Sequence, residues 1–440
     1  MSGLDRAQTP KTRPTPHKRT AMVASLDIGT SKIACMIARL KPCAPSDALR
    51  GRSHVAELIG YSQIQSRGVK AGAVVDLNEC EQAVRQAVSL AERMAKVRVE
   101  SVLLSVSGGR LLGHMIEAAT DIRGATVSPA DVERLTSTGM RHATGVGRTV
   151  LHALPTSYAL DGVKGVRDPK GMVARQFGVD MNVVTVDAMV ARNLMLVVER
   201  CHLNVEAMAA SPYVAGLAVL TDDEADLGAA VVDMGAGTTT IATYSGGRFV
   251  HASGFAVGGQ HITMDLARGL GACIADAERI KTLYGTVLTG GSDARELMSV
   301  PAAGDNERDA PQIVSRATIA NIVRHRAEEI FEMVRDRLAD SPFAAEPRAR
   351  IVLSGGASQL TGFPDIATRI LGRPVRIGRP LGFGRLPSEA KSASFAAPTG
   401  LLVYPQYAHL EHVEPRHTRQ LRTGTDGYFG KVGRWLREGF

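Results

Sequence analysis

The chain has 440 residues, of which 44% are hydrophobic, 22% charged and 4% aromatic, and its formal net charge is +8. This length exceeds one compact core, so at least two domains are expected. The few aromatic residues argue against a stacking surface for single-stranded nucleic acid. No run reaches the ~20 apolar residues of a membrane-spanning helix. The five cysteines are scattered without a C-x-x-C motif, and neither they nor the histidines form a cluster that predicts a transition-metal site.

Half of the net positive charge lies at the start of the chain. Residues 1–20 contain five basic residues, one Asp and three Pro. We expect a disordered basic tail over 1–20, and we favour a solvated extension over a DNA-binding arm. The apolar stretch after it, residues 21–24, is too short for a signal peptide, and Asp27 follows it closely.

Residues 21–40 are predicted to form a β-hairpin around the first of three glycine-bearing turns. The turn begins with Asp27 and continues through Gly29, Thr30, Ser31 and Lys32. Such turns offer backbone N–H groups and hydroxyls to phosphate oxygens, and the Asp can hold a hydrated Mg²⁺.

Periodicity predicts further elements between this turn and the second one. The expected segments are strands at 55–65, 73–75 and 102–106, a helix at 79–97, a capped helix start at Ser128-Pro129-Ala130-Asp131, and strands at 149–154 and 181–186. Residues 107–183 mix these elements with Gly-rich turns and interrupt the surrounding pattern.

The second turn repeats the plan of the first, with Asp233, Gly235, Gly237 and Thr238. It is not the dinucleotide fingerprint, because Thr240 stands where the third Gly belongs and the residues that follow are β-formers rather than a helix start. No Walker-type P-loop occurs in the sequence. Two Asp-x-Gly turns in one chain suggest two related halves that face a single nucleotide.

The last third of the chain supplies a long helix and the third turn. Residues 316–338 carry an apolar stripe at helical spacing, and Ser354-Gly355-Gly356 follows a short buried strand and precedes a helix-like run at 361–371. Residues 385–400 are expected to return to the first half. Residues 406–426 lack apolar periodicity and are expected to be a linker.

The final residues are predicted to form an amphipathic helix. Its apolar face would carry Tyr428, Phe429, Val432, Trp435, Leu436 and Phe440, and its polar face Lys431, Arg434, Arg437 and Glu438. The only Trp of the chain lies here and suits the headgroup region of a membrane. The alternative is a terminal helix docked on the protein's own core. For the sequence in isolation, the docked helix is the first expectation. The linker, the flanking basic residues and the family resemblance given below shift the expectation to reversible binding to an anionic membrane, which becomes firm when a polymer holds several copies together.

The three turns together resemble the nucleotide-binding motifs of the actin, Hsp70 and sugar-kinase superfamily. Within it the sequence is similar to the FtsA family of bacterial cell-division proteins from about residue 21 to the end. The stretches that carry this resemblance are 198–201, 220–224, 277–281 with Tyr284-Gly285, 375–378 with Pro380-Leu381, and the terminal Trp435-Leu436-Arg437-Glu438-Gly439-Phe440.

The resemblance implies an α/β, actin-like (ribonuclease H-like) two-domain fold with a nucleotide cleft, an inserted 1C-type subdomain and a C-terminal amphipathic helix. The implied divisions are 1A at 21–106, 1C at 107–183, 1A again at 184–227, 2A at 228–258, 2B at 259–340, 2A again at 341–383, a return to 1A at 384–405, the linker at 406–426 and the membrane-targeting helix at 427–440.

It also implies that ATP and Mg²⁺ lie between the halves. Asp27 and Asp233 would hold Mg²⁺ through water, because a hydrated Mg²⁺ needs few direct carboxylates. The phosphates would contact Gly29, Thr30, Ser31 and Lys32 on one side and Gly235, Gly237 and Thr238 on the other. Gly355 and Gly356 would flank the α-phosphate and the nucleoside. Glu278 and Lys281 would contact the ribose and the adenine. Without the resemblance, Glu278 and Lys281 would be a surface salt bridge and Lys32 a solvated side chain.

One group expected of a hydrolysing relative is missing. Such relatives carry a Gln or Glu on the helix before the second turn to orient water, whereas residues 211–220 contain no acid and no amide. Loss of a water-positioning or general-base group costs ~10²–10⁴-fold in rate. We therefore expect tight nucleotide binding and at most a slow ATPase, and no catalytic residue is assigned.

The function implied is that of a membrane-tethered adaptor at the division site, on the cytoplasmic face of the inner membrane. It would polymerise, bind the FtsZ C-terminal tail through 259–340 and recruit later division proteins through 107–183, without a nucleic-acid partner. The alternatives are a PilM-like pilus-assembly ATPase, and a small-molecule kinase that uses Asp187, Asp222 or Asp223.

Overall fold

The structure, a computed structural model, describes residues 8–15, 19–44, 49, 51–122, 125–288, 290, 295–301 and 312–413. The elements of its first half are β1 (Ala21–Ile28), β2 (Lys32–Pro42), β3 (His54–Gln65), β4 (Val69–Lys70), β5 (Ala73–Val74), α1 (Leu77–Ala95) and β6 (Ser101–Val106). An insert follows, with β7 (Leu112–Asp121), α2 (Pro129–Ala143), β8 (Arg148–Leu160), β9 (Val163–Val166) and β10 (Gln176–Asp187). The first half then continues with α3 (Ala188–Arg200), β11 (Asn204–Ala210), α4 (Ser211–Val219) and α5 (Asp222–Leu227).

The second half begins directly after α5. Its elements are β12 (Ala229–Met234), β13 (Thr239–Ser245), β14 (Arg248–Phe255), α6 (Gly259–Gly269), α7 (Ile274–Tyr284), β15 (Leu297–Val300), β16 (Gln312–Ser315), α8 (Arg316–Ala339), β17 (Arg350–Ser354), α9 (Phe363–Leu371) and β18 (Val375–Ile377). The chain returns to the first half through β19 (Phe383–Gly384) and α10 (Ala396–Val403). Short 3-10 helices lie at Pro342–Ala345, Ala357–Gln359, Glu389–Lys391, Ala393–Phe395, Tyr404–Gln406 and Ala408–Leu410.

The two halves share one sheet plan, as the repeated turns predict. In the first half the order is β3-β2-β1-β6-β11, with an antiparallel β1–β2–β3 meander and β6 and β11 parallel to β1. In the second half β14-β13-β12-β17-β18 has the same order and the same directions. The predicted two-domain α/β fold of actin-like type is therefore confirmed.

Local sequence explains the elements that position the site. The buried side chains of β1 form a nearly continuous run, as expected of a central strand covered on both faces. Asp76 caps α1 by accepting hydrogen bonds from the N–H groups of Asn78 and Glu79. The predicted start of α2 is confirmed as a capping box between Ser128 and Asp131. The predicted long helix is confirmed as α8.

The insert has a hydrophobic core of its own, which includes Phe177, Met181 and Leu135. Its sheet is nevertheless continuous with that of the second half, because β7 pairs with β14 where Leu112 lies opposite Ser253. The Arg248 side chain donates to the Thr156 carbonyl across the same junction. The insert also contacts the first half, since His152 Nε2 of β8 accepts from the Ala210 N–H of β11 at 2.8 Å.

Residues 8–15 are not a disordered tail, and the expectation of disorder is wrong for them. Thr9 and Thr12 are only 2% and 5% exposed. The Thr9 N–H donates to the Val150 carbonyl at 3.0 Å, and the Met208 N–H donates to the Pro10 carbonyl at 3.2 Å. Backbone pairing with strand edges orders this segment without apolar periodicity.

The expectation of a linker from residue 406 is wrong for 406–413. Gln406 is 5% exposed, and its side-chain oxygen accepts hydrogen bonds from the N–H groups of Ser53 and His54 at 2.8 and 3.0 Å. Residues 414–426 and the predicted helix at 427–440 lie outside the described residues. Among the helices that the structure does describe, none has the length and apolarity needed to cross a membrane.

The junction of the insert with the second half depends on Gly113. A Cβ at Gly113 would lie 2.7 Å from the Ala252 nitrogen, which is backbone and cannot swing away. We expect Gly113→Ala to separate β7 from β14, to destabilise the protein by ~1–3 kcal/mol, and to speed amide hydrogen exchange in 112–116 and 249–254. Gly178→Ala in the same insert is the matched control, since its Cβ would make only ordinary contacts of 3.4 Å or more. Equal effects of the two substitutions would contradict this assignment.

Candidate functional site

The first turn joins β1 to β2 and is closed by its own backbone. The Gly29 N–H donates to the Lys32 carbonyl at 3.0 Å, and a Cβ at Gly29 would lie 2.9 Å from that carbonyl oxygen. The Thr30 hydroxyl accepts a hydrogen bond from the Gly72 N–H at 3.1 Å. The turn therefore needs glycine at position 29 and holds Thr30 in place from a neighbouring loop.

The second turn repeats this geometry between β12 and β13. The Gly235 N–H donates to the Thr238 carbonyl at 2.9 Å. A Cβ at Gly237 would lie 2.5 Å from the Thr30 side-chain oxygen, so the first and second turns are in direct contact. The start of α6 packs against the same turn, since the Gly259 N–H donates to the Gly235 carbonyl at 2.9 Å.

The third turn lies beside the second, because β17 runs parallel to β12 with Ser354 opposite Asp233. Gly355 has φ +83°, and a Cβ there would lie 2.4 Å from the Met234 carbonyl oxygen, so only glycine fits. Gly356 differs, since a Cβ there would meet only the Ser394 side chain, at 3.9 Å. The structure thus brings all three predicted turns together at one place.

Asp27 and Asp233 are surrounded by protein atoms and keep partial solvent exposure. The Ser105 hydroxyl donates to Asp27, and the Ser354 hydroxyl donates to Asp233 at 3.2 Å. Burial raises the pKa of both carboxyl groups. For Asp233, burial and then the negative charge of Asp27 raise the pKa to about 6. The two carboxylates therefore lie close enough to repel each other.

Lys32 is not a solvated side chain. Its Nζ donates to the Ser394 carbonyl at 2.6 Å and lies 4.1 Å from the centroid of the Phe395 ring. Burial lowers the pKa of Lys32 to about 8, although Asp27 and Asp233 act in the opposite direction. Lys32 therefore links the first turn to the segment that returns from the second half.

Glu278 and Lys281 form the salt bridge that the local alternative predicts, with Nζ and Oε2 2.7 Å apart. Lys281 also donates to the Thr263 hydroxyl at 2.8 Å and to the Gly259 carbonyl at 3.1 Å. These contacts connect the pair to the start of α6, and through Gly259 to the second turn. Their role in contacting ribose and adenine stays a prediction.

A cavity of about 480 Å³ adjoins the third turn. Hydroxyl groups of Ser358, Thr361 and Ser392 line it together with the basic residues Arg379 and Lys391, and no carboxylate of the described residues does. An environment of this kind suits a polar, negatively charged ligand.

The site residues fit a magnesium nucleotide on the chemistry of these donors. Two repelling carboxylates are the ligand type that Mg²⁺ prefers, held directly or through its water. Gly356 leaves open the space that a Cβ would fill, and Lys32 supplies a cation close to the carboxylates. Among the described residues no group of three or more His, Cys, Asp or Glu side chains could hold a metal by itself.

Sequence reasoning assigned no role to three serine hydroxyls at the site, although Ser354 belongs to the predicted third turn. Ser105 lies on β6 and bonds to Asp27, and Ser354 and Ser211 bond to Asp233. The only signal in the sequence was a serine close to the carboxyl end of a buried apolar run. This pattern is too common in proteins to assign a site residue by itself. The predicted helix before the second turn is confirmed as α4, and it contains no acid or amide.

The remaining predicted positions divide into two groups. Asp187, one of the residues of the kinase alternative, caps α3 by accepting from the Met189 N–H at 2.9 Å, and Asp222 and Asp223 lie in the first turn of α5. The predicted membrane residues Phe429, Lys431, Val432, Arg434, Trp435, Leu436, Arg437 and Phe440 lie outside the described residues.

The repeated sheets and the converging turns define an actin-like protein. Among solved structures of this fold, a PilM–PilN type IV pilus biogenesis complex is 16% identical with a TM-score of 0.61 and covers 87% of this chain and 98% of its own. MreB5 of Spiroplasma citri bound to ADP is 14% identical with a TM-score of 0.51, and the match covers 88% of this chain and 97% of MreB5. At these identities the likeness shows the fold alone, so it does not favour the pilus alternative.

Sequence comparison gives the family. A model described as "Cell division protein FtsA" matches residues 230–400, and one described as an SHS2 domain inserted in FtsA matches 108–185. The chain is 46% identical to the cell division protein FtsA of Rhizobium meliloti, and the match covers 98% of both chains. It is 32% identical to FtsA of Neisseria meningitidis and 30% identical to FtsA of Escherichia coli. Each of these two matches covers 95% of this chain and 98% of the relative. The chain belongs to the FtsA family of cell-division proteins.

Gly356 offers a test of whether a ligand lies against the third turn. Because the protein has room for a Cβ at this position, we expect Gly356→Ala to leave thermal unfolding unchanged and to weaken ATP binding about tenfold or more, through a clash with the ligand. Gly145→Ala is the control, since its Cβ would also meet only one side-chain atom, at 3.9 Å, outside the site. Isothermal titration measures both variants, and an unchanged ATP affinity in Gly356→Ala would contradict the proposed ligand position.

Proposed function

We propose that the chain is a nucleotide-gated adaptor that forms actin-like filaments and attaches the FtsZ ring to the cytoplasmic face of the membrane at the division site. The observation that carries this proposal is the convergence of the three turns on Asp27 and Asp233. Family membership supports the role in cell division, and MreB5 of Spiroplasma citri, which has the same fold, binds ADP.

ATP with Mg²⁺ is the ligand that fits this site. When bound, Mg²⁺ neutralises phosphate charge and presents ordered water. Asp27 and Asp233 would hold the ion through its water, and hydrogen bonds from the Ser105 and Ser354 hydroxyls orient the two carboxylates. Gly29, Thr30, Ser31 and Lys32 contact the phosphates from the first half, and Gly235, Gly237 and Thr238 contact them from the second.

Gating follows from the position of the ligand. The first turn belongs to one half and the second and third turns to the other, so a ligand held by all three favours one relative orientation of the halves. Filament assembly requires each copy to present the same two surfaces to its neighbours. A bound nucleotide therefore promotes assembly by reducing the number of orientations that the halves adopt.

Turnover of the nucleotide is slow in this proposal. α4 is buried along most of its length and offers no carboxylate or amide to orient an attacking water. The chain then acts as a long-lived ATP-bound form and at most as a slow ATPase. No observation among the described residues favours the kinase alternative.

The membrane contact is assigned to residues 427–440 from their sequence pattern. Residues 259–340 and the insert at 107–183 are assigned to the FtsZ tail and to later division proteins, respectively. The separate hydrophobic core of the insert supports its use as a recruitment module.

A truncation ending at Asp426 tests the membrane assignment. We expect it to abolish co-sedimentation with anionic liposomes and to leave ATP affinity unchanged, because the three turns lie in other parts of the chain. Trp435→Glu on the apolar face should reproduce the loss, whereas Glu438→Gln on the polar face should retain sedimentation. Sedimentation of the truncated chain at the level of the full chain would refute the assignment. Adding an FtsZ C-terminal peptide with and without ATP, in the same assay, tests the partner.

A further inference from the structure

Residues 8–12, the first that the structure describes, cross the edges of two strands. Residues 148–154 of β8 lie beyond the part of that strand that pairs with β9, and Val150 there accepts from the Thr9 N–H at 3.0 Å. On the next stretch, the Pro10 carbonyl accepts from Met208 of β11, and the Thr12 hydroxyl donates to Glu206. The segment at 8–12 therefore connects the insert to the first half.

The end of the described chain lies on the same edge of β8. The His412 N–H donates to the Ala153 carbonyl at 2.8 Å. The His412 ring nitrogens lie 3.0 and 2.9 Å from the hydroxyl oxygens of Thr136 and Ser137 on α2. The Gln8 side chain donates to the His412 carbonyl at 3.2 Å. Both ends of the described chain thus meet on the insert.

A buried polar cluster joins the two segments, and we call Lys11, His152, Tyr404 and Glu411 the clasp. One carboxylate oxygen of Glu411 lies 2.5 Å from Lys11 Nζ. The other accepts from His152 Nδ1 at 2.8 Å and from the Tyr404 hydroxyl at 2.9 Å. The side chains of Lys11, His152 and Glu411 are 5%, 0% and 1% exposed.

The hydrogen bonds fix the charges of the clasp. His152 Nε2 accepts from the Ala210 N–H at 2.8 Å, so Nδ1 carries the proton that is donated to Glu411, and the ring is neutral. Burial opposes ionisation of Glu411, but the Lys11 ammonium and the hydrogen bond from His152 outweigh it and hold the pKa of Glu411 below its usual value. Glu411 is therefore a buried anion whose one cationic partner within the clasp is Lys11, and a buried anion that loses its partner is strongly destabilised.

Residues 8–15, which contribute Lys11 to the clasp, add little to the main hydrophobic packing of the molecule. None of residues 8–15 belongs to the three hydrophobic cores of the described chain. The contacts of 8–12 go instead to β8, to β11 and to the segment at 404–413. Such contacts position one part of the chain against another.

We propose that residues 8–12 lock the segment at 404–413 onto the insert through the clasp, and so fix the point on the body from which residues 414–440 continue. This rests on the proposed function only in assigning membrane contact to 427–440. With the lock in place, the insert and the start of the membrane-directed segment behave as one unit. The insert is then held in a constant orientation towards the membrane while it recruits its partners.

Hydrogen exchange of the full-length protein tests the lock without any membrane. We expect Lys11→Met to speed amide exchange about tenfold or more in peptides covering 148–156 and 404–413, and to leave β1 unchanged. Lys11→Arg should restore protection in part because it keeps the charge. Lys170→Met, an exposed lysine of the insert, is the control. Wild-type exchange at 404–413 in Lys11→Met, or faster exchange spread equally over β1, would overturn the proposal.

A deletion of residues 2–15 provides a second test if the Lys11 variant folds poorly. It should speed amide exchange in the same two peptides, 148–156 and 404–413, whereas a deletion of residues 2–7 should not. Equal effects of the two deletions on exchange would contradict the lock. On anionic liposomes, Lys11→Met should still sediment. The distribution of distances between a label at Val146 of the insert and the lipid surface should, however, be broader in this variant than in the unsubstituted chain. Distances as narrow as those of the unsubstituted chain would also overturn the proposal. If the unsubstituted chain itself failed to sediment, the membrane assignment would be refuted. The hydrogen-exchange result would still decide whether the lock exists, because it is measured without a membrane.

Discussion

The site depends on two half-buried carboxylates of like charge that lie close together. Asp27 and Asp233 lie at equivalent positions of two sheets with the same strand order, each on the first strand of a β-meander. Bringing the two turns into contact brings the two charges together at a cost, since each raises the free energy of ionising the other. Serine hydroxyls and Lys32 offset part of that cost. A bound divalent cation would offset the rest, which is why the arrangement favours a magnesium nucleotide over a neutral ligand.

Close contacts hold the halves in register around this site. α4 of the first half packs so closely on β13 of the second that a Cβ at Gly216 would lie 2.2 Å from the Tyr244 hydroxyl oxygen, and that hydroxyl donates to the Tyr213 carbonyl at 2.8 Å. The same α4 leads to the second half through α5, while the segment before α10 contacts both Lys32 and the Gly355 N–H. The insert adds a further connection through β7 and β14. A change in the relative position of the halves therefore acts on the insert as well as on the nucleotide site.

Local patterns predicted most of the fold. The hairpins, α1, the capped start of α2 and α8 follow from periodicity and capping, which act over a few residues. The three turns followed from glycine and aspartate spacing, and their convergence followed from the repeated plan. Ser105 and the contact of Lys32 with Ser394 and Phe395 were not predictable, because they depend on residues far apart in the chain. Residues 8–15 and 406–413 were predicted wrongly for a related reason: polar hydrogen bonds with distant partners order them, and such bonds leave no apolar period.

The most direct test of the central claim is the Mg²⁺ dependence of ATP affinity in the full chain and in the Asp27→Asn/Asp233→Asn double variant. Titration with ATP in Mg²⁺ and in EDTA separates the contribution of the metal from that of the phosphate contacts. If the carboxylates jointly hold the ion, the unsubstituted chain binds ATP more tightly with Mg²⁺, and the double variant loses that preference while keeping its fold by circular dichroism. An equal Mg²⁺ preference in both proteins would show that the two carboxylates do not share the metal.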